Sequence, residues 1–294
     1  MFKQEMIRGT FTAIATPFSA DLSSVDYNSL GDLLEFQLSA GVNGVVACGS
    51  TGEASTLSDQ EYRDVVKFVR ERTSGKIPCV AGIGTNSTSR AVESAKLLKE
   101  LKVDAALVVN PPYNKPSQDG LIAHFREIKK SVDLPLVAYN IPGRSAVNML
   151  PQTVATLTRE RLIIGLKEST GSLDQFLDIF SLVGNTLAVM SGEDTLVHAL
   201  MASGATGVIS ASANVIPELF LRITNNAMAS EWLKARDAQY QALPIIKALF
   251  FETNPVPVKA ALELKGIIRC GKARLPLLPA RPDTIAKLKE LLAV

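Results

Sequence analysis

Short apolar runs recur along the chain, each followed by a longer segment of helical period. The runs are Thr12–Ala15, Gly44–Cys48, Cys79–Gly82, Ala105–Val109, Leu136–Tyr139, Leu162–Leu166, Leu187–Met190 and Gly207–Ser210. They are rich in Val, Ile and Ala and do not alternate strictly with polar residues, which is the pattern of parallel strands buried on both faces. Between them, Leu30–Leu38 places Leu30, Leu33, Leu34 and Leu38 on one face of a helix. Ser58–Val69 opens with Ser58 three residues ahead of Glu61, a capping box. Ser89–Leu101, Gln118–Val132, Pro151–Thr158, Ser172–Leu182, Thr195–Ala202 and Pro217–Ala227 complete the set. Eight strand–helix units predict an α/β fold, a closed (β/α)8 (TIM) barrel. A six-unit doubly wound sheet would leave two strands over and needs a Gly-x-Gly-x-x-Gly turn that the chain lacks.

Beyond about Ser230 the pattern changes. Trp232–Leu243, Val256–Leu264 and Thr284–Leu292 read as helices with no strand between them, punctuated by prolines. The reading is therefore a barrel over residues 1–230 and a C-terminal helical extension over 231–294, packed on the barrel or on a neighbouring subunit. Composition narrows the partners. Apolar residues make up 47% of the 294, enough to fill a sizeable core. Lys and Arg number 31 against 29 Asp and Glu, a net charge of +2, which argues against nucleic acid or an anionic membrane as partner. No uncharged run approaches the roughly 20 residues that span a bilayer. Lys3, Glu5 and Arg8 lie where a signal peptide would need apolar residues, so a cytoplasmic location is expected. Three widely separated cysteines give neither a disulfide framework nor a Cys-x-x-Cys metal site. Two histidines, His124 and His198, fall in helical segments and read as surface or satisfied side chains.

Active sites of such barrels lie at the C-terminal ends of the strands. Gly49-Ser50-Thr51-Gly52-Glu53, Pro112-Tyr113, Tyr139-Asn140, Arg144, Lys167-Glu168, Gly192-Glu193-Asp194 and Ile209-Ser210 all fall there. Lys167 continues the apolar run Leu162–Leu166. Burial disfavours an ammonium, and a neutral amine attacks carbonyls to form a Schiff base. The alternative is a simple ion pair with Glu168. Tyr139, on the neighbouring strand, is placed to shuttle protons. The Gly49–Gly52 turn offers N–H groups and hydroxyls to a small carboxylate, and Arg144 offers a bidentate fork to a second one. Glu193 and Asp194 are a candidate metal pair, but Asp194 reads better as the N-cap of the next helix. Cys48 and Cys79 read as core.

These stretches, with Ala15-Thr16-Pro17-Phe18, Tyr139-Asn140-Ile141-Pro142-Gly143-Arg144 and Asn254-Pro255-Val256-Pro257-Val258-Lys259, resemble the dihydrodipicolinate synthase family of pyruvate-dependent aldolases along essentially the whole chain. The resemblance implies that Lys167 forms the Schiff base with pyruvate and that Tyr139 relays protons through Ser50 to Tyr113 of an adjoining subunit. It implies that Thr51 and the backbone near Ile209 hold the pyruvate carboxylate, that Gly192 lines the pocket, and that Arg144 receives the carboxylate of aspartate semialdehyde. It further implies no metal or organic cofactor and a homotetramer built as a dimer of dimers. The family's usual residue at position 50 is Thr. The Ser found here is shared with N-acetylneuraminate lyases, which makes a sugar-acid aldolase the alternative, and a non-catalytic keto-acid-binding barrel the more distant one. At the family's lysine-regulatory pocket the matching positions are Asp59, Tyr62, Asn86, Arg90 and Pro112. An arginine there in place of an acid repels an ammonium, so weak or absent inhibition by lysine is expected.

Overall fold

The structure, a computed structural model, describes residues 2–293. Eight parallel strands pair in chain order: β1 (Gly9–Ala13), β2 (Gly44–Ala47), β3 (Cys79–Ile83), β4 (Ala105–Val109), β5 (Leu136–Asn140), β6 (Gly165–Glu168), β7 (Ala188–Ser191) and β8 (Gly207–Ser210). β8 returns to β1, with Gly207 opposite Gly9 and Ile209 opposite Phe11, so the sheet closes without a free edge. Around it run α1 (Tyr27–Ala40), α2 (Asp59–Thr73), α3 (Thr88–Glu100), α4 (Gln118–Ser131), the single turn α5 (Pro142–Ser145), α6 (Pro151–Arg159), α7 (Leu173–Val183), α8 (Val197–Ala202) and α9 (Pro217–Met228). Three helices follow: α10 (Trp232–Leu249), α11 (Val256–Leu264) and α12 (Pro282–Leu292). The fold is the (β/α)8 barrel with C-terminal helices that the periodicity predicts. None of the described helices is long and apolar enough to cross a membrane.

Closure explains why the strands do not alternate apolar with polar. One face of each strand fills the barrel interior, through Phe11, Val46, Leu107, Val137, Met190 and Ile209. The other face packs against the helices, through residues such as Val45, Ala81 and Leu166 against Leu30, Phe125 and Phe176. Both faces are therefore buried, at about 1.5–3 kcal/mol for each large side chain. The capping box at α2 forms as read: the Ser58 hydroxyl accepts from the Glu61 N–H and the Glu61 carboxylate accepts from the Ser58 N–H.

Several boundaries differ, three of them with a clear local cause. β1 starts at Gly9 rather than Thr12, because Gly9 and Gly207 approach so closely that a Cβ on Gly207 would lie 2.5 Å from the Gly9 nitrogen. Such a contact point carries no apolar signal. β6 starts at Gly165 rather than Leu162, because the Leu162 N–H is used to close α6 on the Leu157 carbonyl. Lys167 therefore sits inside the ladder, opposite Tyr139 of β5 and Met190 of β7. α10 runs through Pro244 to Leu249 instead of stopping at Leu243. A helical proline is costly, but Ile246, Ala248 and Leu249 continue the buried face beyond it.

The C-terminal helices are tied to the barrel by charge. On α11, the Lys259 ammonium lies 2.7 Å from the Glu53 carboxylate, with side-chain exposures of 0% and 2%. The other Glu53 oxygen accepts from the Arg274 N–H at 2.9 Å. The Arg274 guanidinium forks onto Glu61 at 2.6 and 2.8 Å. Phe18 is shared between the two cations, its ring centre 4.2 Å from Lys259 Nζ and 4.1 Å from Arg274 Cζ. His124, expected at the surface or fully satisfied, is instead buried between helices. Its Nδ1 meets the Thr88 hydroxyl at 3.0 Å, and its Nε2 has no partner. Burial lowers its pKa from 6.5 to about 4.

Two outcomes are expected. Lys259→Met leaves a lone buried carboxylate and costs about 3–5 kcal/mol. The double variant Lys259→Met with Glu53→Gln, lacking that lone charge, recovers part of the loss; urea denaturation of the three proteins measures both effects. His124 stays neutral in the folded chain while the unfolded chain protonates below pH 6.5. Stability therefore falls as pH drops from about 6.5 to about 4, and His124→Gln removes that component of the pH dependence. Melting temperatures of the two proteins across this range read it.

Candidate active site

Lys167 projects to the interior face of β6 and is only 7% exposed. Its Nζ lies 4.4 Å from the centre of the Tyr139 ring, the residue opposite it in register. Among the described residues no carboxylate pairs with it. The expected alternative, Glu168, points to the other side of the strand, as successive residues must. There it accepts from Asn140 Nδ2 at 3.0 Å and from the Thr170 N–H at 2.8 Å. Burial raises the Glu168 pKa against the pull of these bonds. At the end of β7, Glu193 is pushed up to about 7 by burial and by the charge of Asp194, with Lys167 pulling the other way. Gly192 makes room for the lysine stem. A Cβ there would lie 2.8 Å from Lys167 Cε and collide with the Ser169 hydroxyl.

A cavity of about 360 Å³ opens at this end of the barrel, and Ser50, Tyr139 and Arg144 share its wall. Cys48, at φ +51°, turns the chain out of β2 so that Ser50 reaches the mouth. Arg144, on the single turn α5, donates to the Asn254 carbonyl at 2.9 Å. Thr51 is buried behind the rim, and its hydroxyl accepts from Asn254 Nδ2 at 2.9 Å. Ile209 is buried on the interior face of β8. Tyr113 is not brought to the cavity: at φ +71° on the loop after β4, its side chain is 88% exposed.

Several residues at the site went unassigned from sequence. Thr253, Asn254, Pro255, Pro276 and Leu277, all from the C-terminal region, line the cavity. Lys259 carried the same signal as Lys167, an isolated lysine in an apolar stretch, but its partner Glu53 is 206 positions away. The expected N-cap role of Asp194 is not what forms. Its Oδ2 accepts from the Ser212 N–H at 2.9 Å, tying the β7 loop to the β8 loop, while α8 starts at Val197 with Leu196 at its cap. Cys48 and Cys79 are core as expected, and burial pushes the Cys79 thiol up to about 12. Of the lysine-pocket positions, Asp59, Tyr62 and Arg90 line a second cavity of about 760 Å³. Pro112 lines the first cavity instead, and the Asn86 carbonyl accepts from Asn114 Nδ2.

Comparison with known proteins adds to this geometry. The model of the dihydrodipicolinate synthetase family matches residues 6–294. A 4-hydroxy-tetrahydrodipicolinate synthase from Geobacter metallireducens is 44% identical over 288 residues, covering 98% of each chain. The crystal structure of dihydrodipicolinate synthase from Thermotoga maritima superposes with a TM-score of 0.95 at 39% identity, again over 98% of each chain. The chloride-inhibited dihydrodipicolinate synthase from Acinetobacter baumannii, complexed with pyruvate, gives the same TM-score, identity and coverage. A family model that spans nearly the whole chain, relatives at about 40% identity and superposing barrels agree: the chain belongs to the dihydrodipicolinate synthetase family.

Proposed function

We propose that the protein is a Schiff-base lyase that condenses pyruvate with L-aspartate 4-semialdehyde to give 4-hydroxy-tetrahydrodipicolinate, for lysine and diaminopimelate synthesis in the cytoplasm. The observation that carries this reading is Lys167, a buried amine with no carboxylate partner, held against a tyrosine next to a cavity of small-molecule size. A lysine fixed only for stability would be paired, as Lys259 is.

In the proposed cycle Lys167 attacks the pyruvate ketone, water leaves, and the resulting iminium draws electrons from the methyl group. Tyr139 accepts and returns the protons, and Ser50 extends the relay. Thr51 and the Ile209 backbone hold the pyruvate carboxylate. The enamine carbon attacks the aldehyde of the second substrate, whose own carboxylate is gripped by Arg144. The amino group of that substrate then displaces Lys167 and closes the ring. Gly192 leaves the space in which the lysine swings between these states. Tyr113, exposed and stiffly held in the single chain, serves the relay of an adjoining subunit in a homotetramer built as a dimer of dimers. The small net charge, 31 basic against 29 acidic residues, accords with small anionic substrates rather than polyanions.

Borohydride added with pyruvate is expected to leave a reduced adduct on Lys167, identified by peptide mass, and Lys167→Ala to abolish both the adduct and consumption of aspartate semialdehyde. Turnover of N-acetylneuraminate in place of the semialdehyde would assign the sugar-acid alternative instead. At the second cavity, Arg90 stands with Arg63 among the lining residues. Asp59 and Glu93 on the same wall are offset by these two guanidinium groups, so the cavity offers the lysine ammonium no net negative charge, and lysine at concentrations well below those of the substrates is expected to leave the initial rate unchanged. Initial rates against lysine concentration measure this.

A further inference from the structure

Asn254 has no part in the roles proposed above, yet it touches both groups that receive a carboxylate. Its side-chain Nδ2 donates to the Thr51 hydroxyl at 2.9 Å, and its backbone carbonyl accepts from Arg144 at 2.9 Å. Asn254 is itself buried, 7% exposed, and its Oδ1 has no partner. A hydroxyl carries one proton and two lone pairs. Once Asn254 donates into the Thr51 oxygen, the Thr51 proton is not spent on Asn254. Among the described residues it is given to no other protein group either, so it is left for a ligand. Thr51 is thereby fixed as a donor, the polarity a carboxylate needs.

The segment that holds Asn254 is itself fixed at a second point. Five residues on, Lys259 is paired with Glu53, and Glu53 is two residues beyond Thr51. Two cross-links, Thr51 to Asn254 and Glu53 to Lys259, run between the same two stretches of chain. Neither stretch can shift without breaking a buried contact.

We propose that Asn254 is a positioning residue that sets the hydrogen-bond polarity of Thr51 for the pyruvate carboxylate and, through its backbone, holds Arg144 for the second carboxylate. This rests on the synthase reading given above. Side-chain replacement separates the two functions, because every variant keeps the backbone carbonyl that Arg144 uses.

The decisive variant is Asn254→Asp. An aspartate accepts only, so the Thr51 proton turns toward residue 254 and is lost to pyruvate. A hydrogen bond to a charged group accounts for roughly tenfold or more in affinity. The pyruvate KM, and the pyruvate concentration giving half-maximal borohydride trapping, are expected to rise at least about tenfold. The KM for aspartate semialdehyde should move less than about threefold. Asn254→Ala should fall between wild type and Asn254→Asp. A new negative charge would also repel pyruvate directly, so the same substitution is made in a Thr51→Val background. If the effect passes through Thr51, Asn254→Asp adds nothing there, and the coupling in the double-mutant cycle equals the single effect. Melting curves show whether each variant is folded, and Asn254→Ser, which can still donate, is expected to regain part of the affinity. An unchanged pyruvate KM in Asn254→Asp, or an effect that persists undiminished without the Thr51 hydroxyl, overturns the proposal. Absence of any pyruvate adduct in the wild-type protein overturns the synthase reading, and this proposal with it; an adduct in wild type with additive variants overturns this proposal alone.

Discussion

Lys259 and Glu53 meet at 2.7 Å where neither charge has water. Removing two ions from water costs several kcal/mol each, and attraction offsets that only in a narrow set of geometries with the remaining donors and acceptors satisfied. Here the second carboxylate oxygen takes the Arg274 N–H, and the ammonium lies over the Phe18 ring. The arrangement therefore has a single low-energy solution. That solution determines where α11 sits, and with it the loop before α11, which supplies Thr253, Asn254 and Pro255 to the cavity wall. The barrel by itself brings strand ends together. The ion pair decides what covers them.

The two buried lysines show how the same side chain is put to opposite uses. Lys259 is fully enclosed and paired, and burial draws its pKa down while Glu53 opposes the shift. Lys167 is nearly as enclosed but faces a tyrosine ring instead of a carboxylate. The acids nearest to it in sequence and space are withheld by specific means. Glu168 is turned through the sheet by strand alternation and engaged by Asn140 and Thr170. Glu193 is raised to about 7, so near neutral pH it is only partly charged. What distinguishes the proposed nucleophile from the structural cation is the lack of a counter-ion among the described residues, and that lack is built from the register of β5, β6 and β7.

The same contrast marks how far the sequence could be read. Strand count, helix order and the capping box at Ser58 are local properties, carried by periodicity and spacing within a few residues. The placement of Lys167 beside Tyr139 was legible because each ends an apolar run, and the barrel rule puts all such ends on one face. Glu53, Asn254 and Arg274 were not, because each acts through a partner more than 200 positions away and has no local pattern of its own. Asp194 was misread for the converse reason. Its position before a helix fits a cap, but the unpaired N–H of Ser212, brought near by barrel closure, competes for its carboxylate and wins. His124 shows the limit of the same logic for burial: a lone polar residue on a helix reads as exposed until the neighbouring helix is placed.

In the proposed assembly Tyr113 is the link between one chain and the next. A tyrosine at φ +71° is held in a sparsely populated backbone region, which costs on the order of 1 kcal/mol or more and persists only where surroundings impose it. In the single chain the strain has no return, since the side chain is 88% exposed and its hydroxyl meets no partner among the described residues. Tyr139 and Ser50 likewise make no hydrogen bond through their hydroxyls to another described protein group, although both line the cavity. In the proposed relay these three hydroxyls, one projecting outward and two at the mouth, are the halves that two copies of the chain would complete. In the proposed assembly the strain at Tyr113 is then compensated by contacts across the subunit boundary. Because subunit association is set by mass action, such an arrangement links proton transfer at Lys167 to protein concentration. In the proposed function the barrel supplies the nucleophile, the C-terminal helices supply the walls, and the proton path closes only between chains.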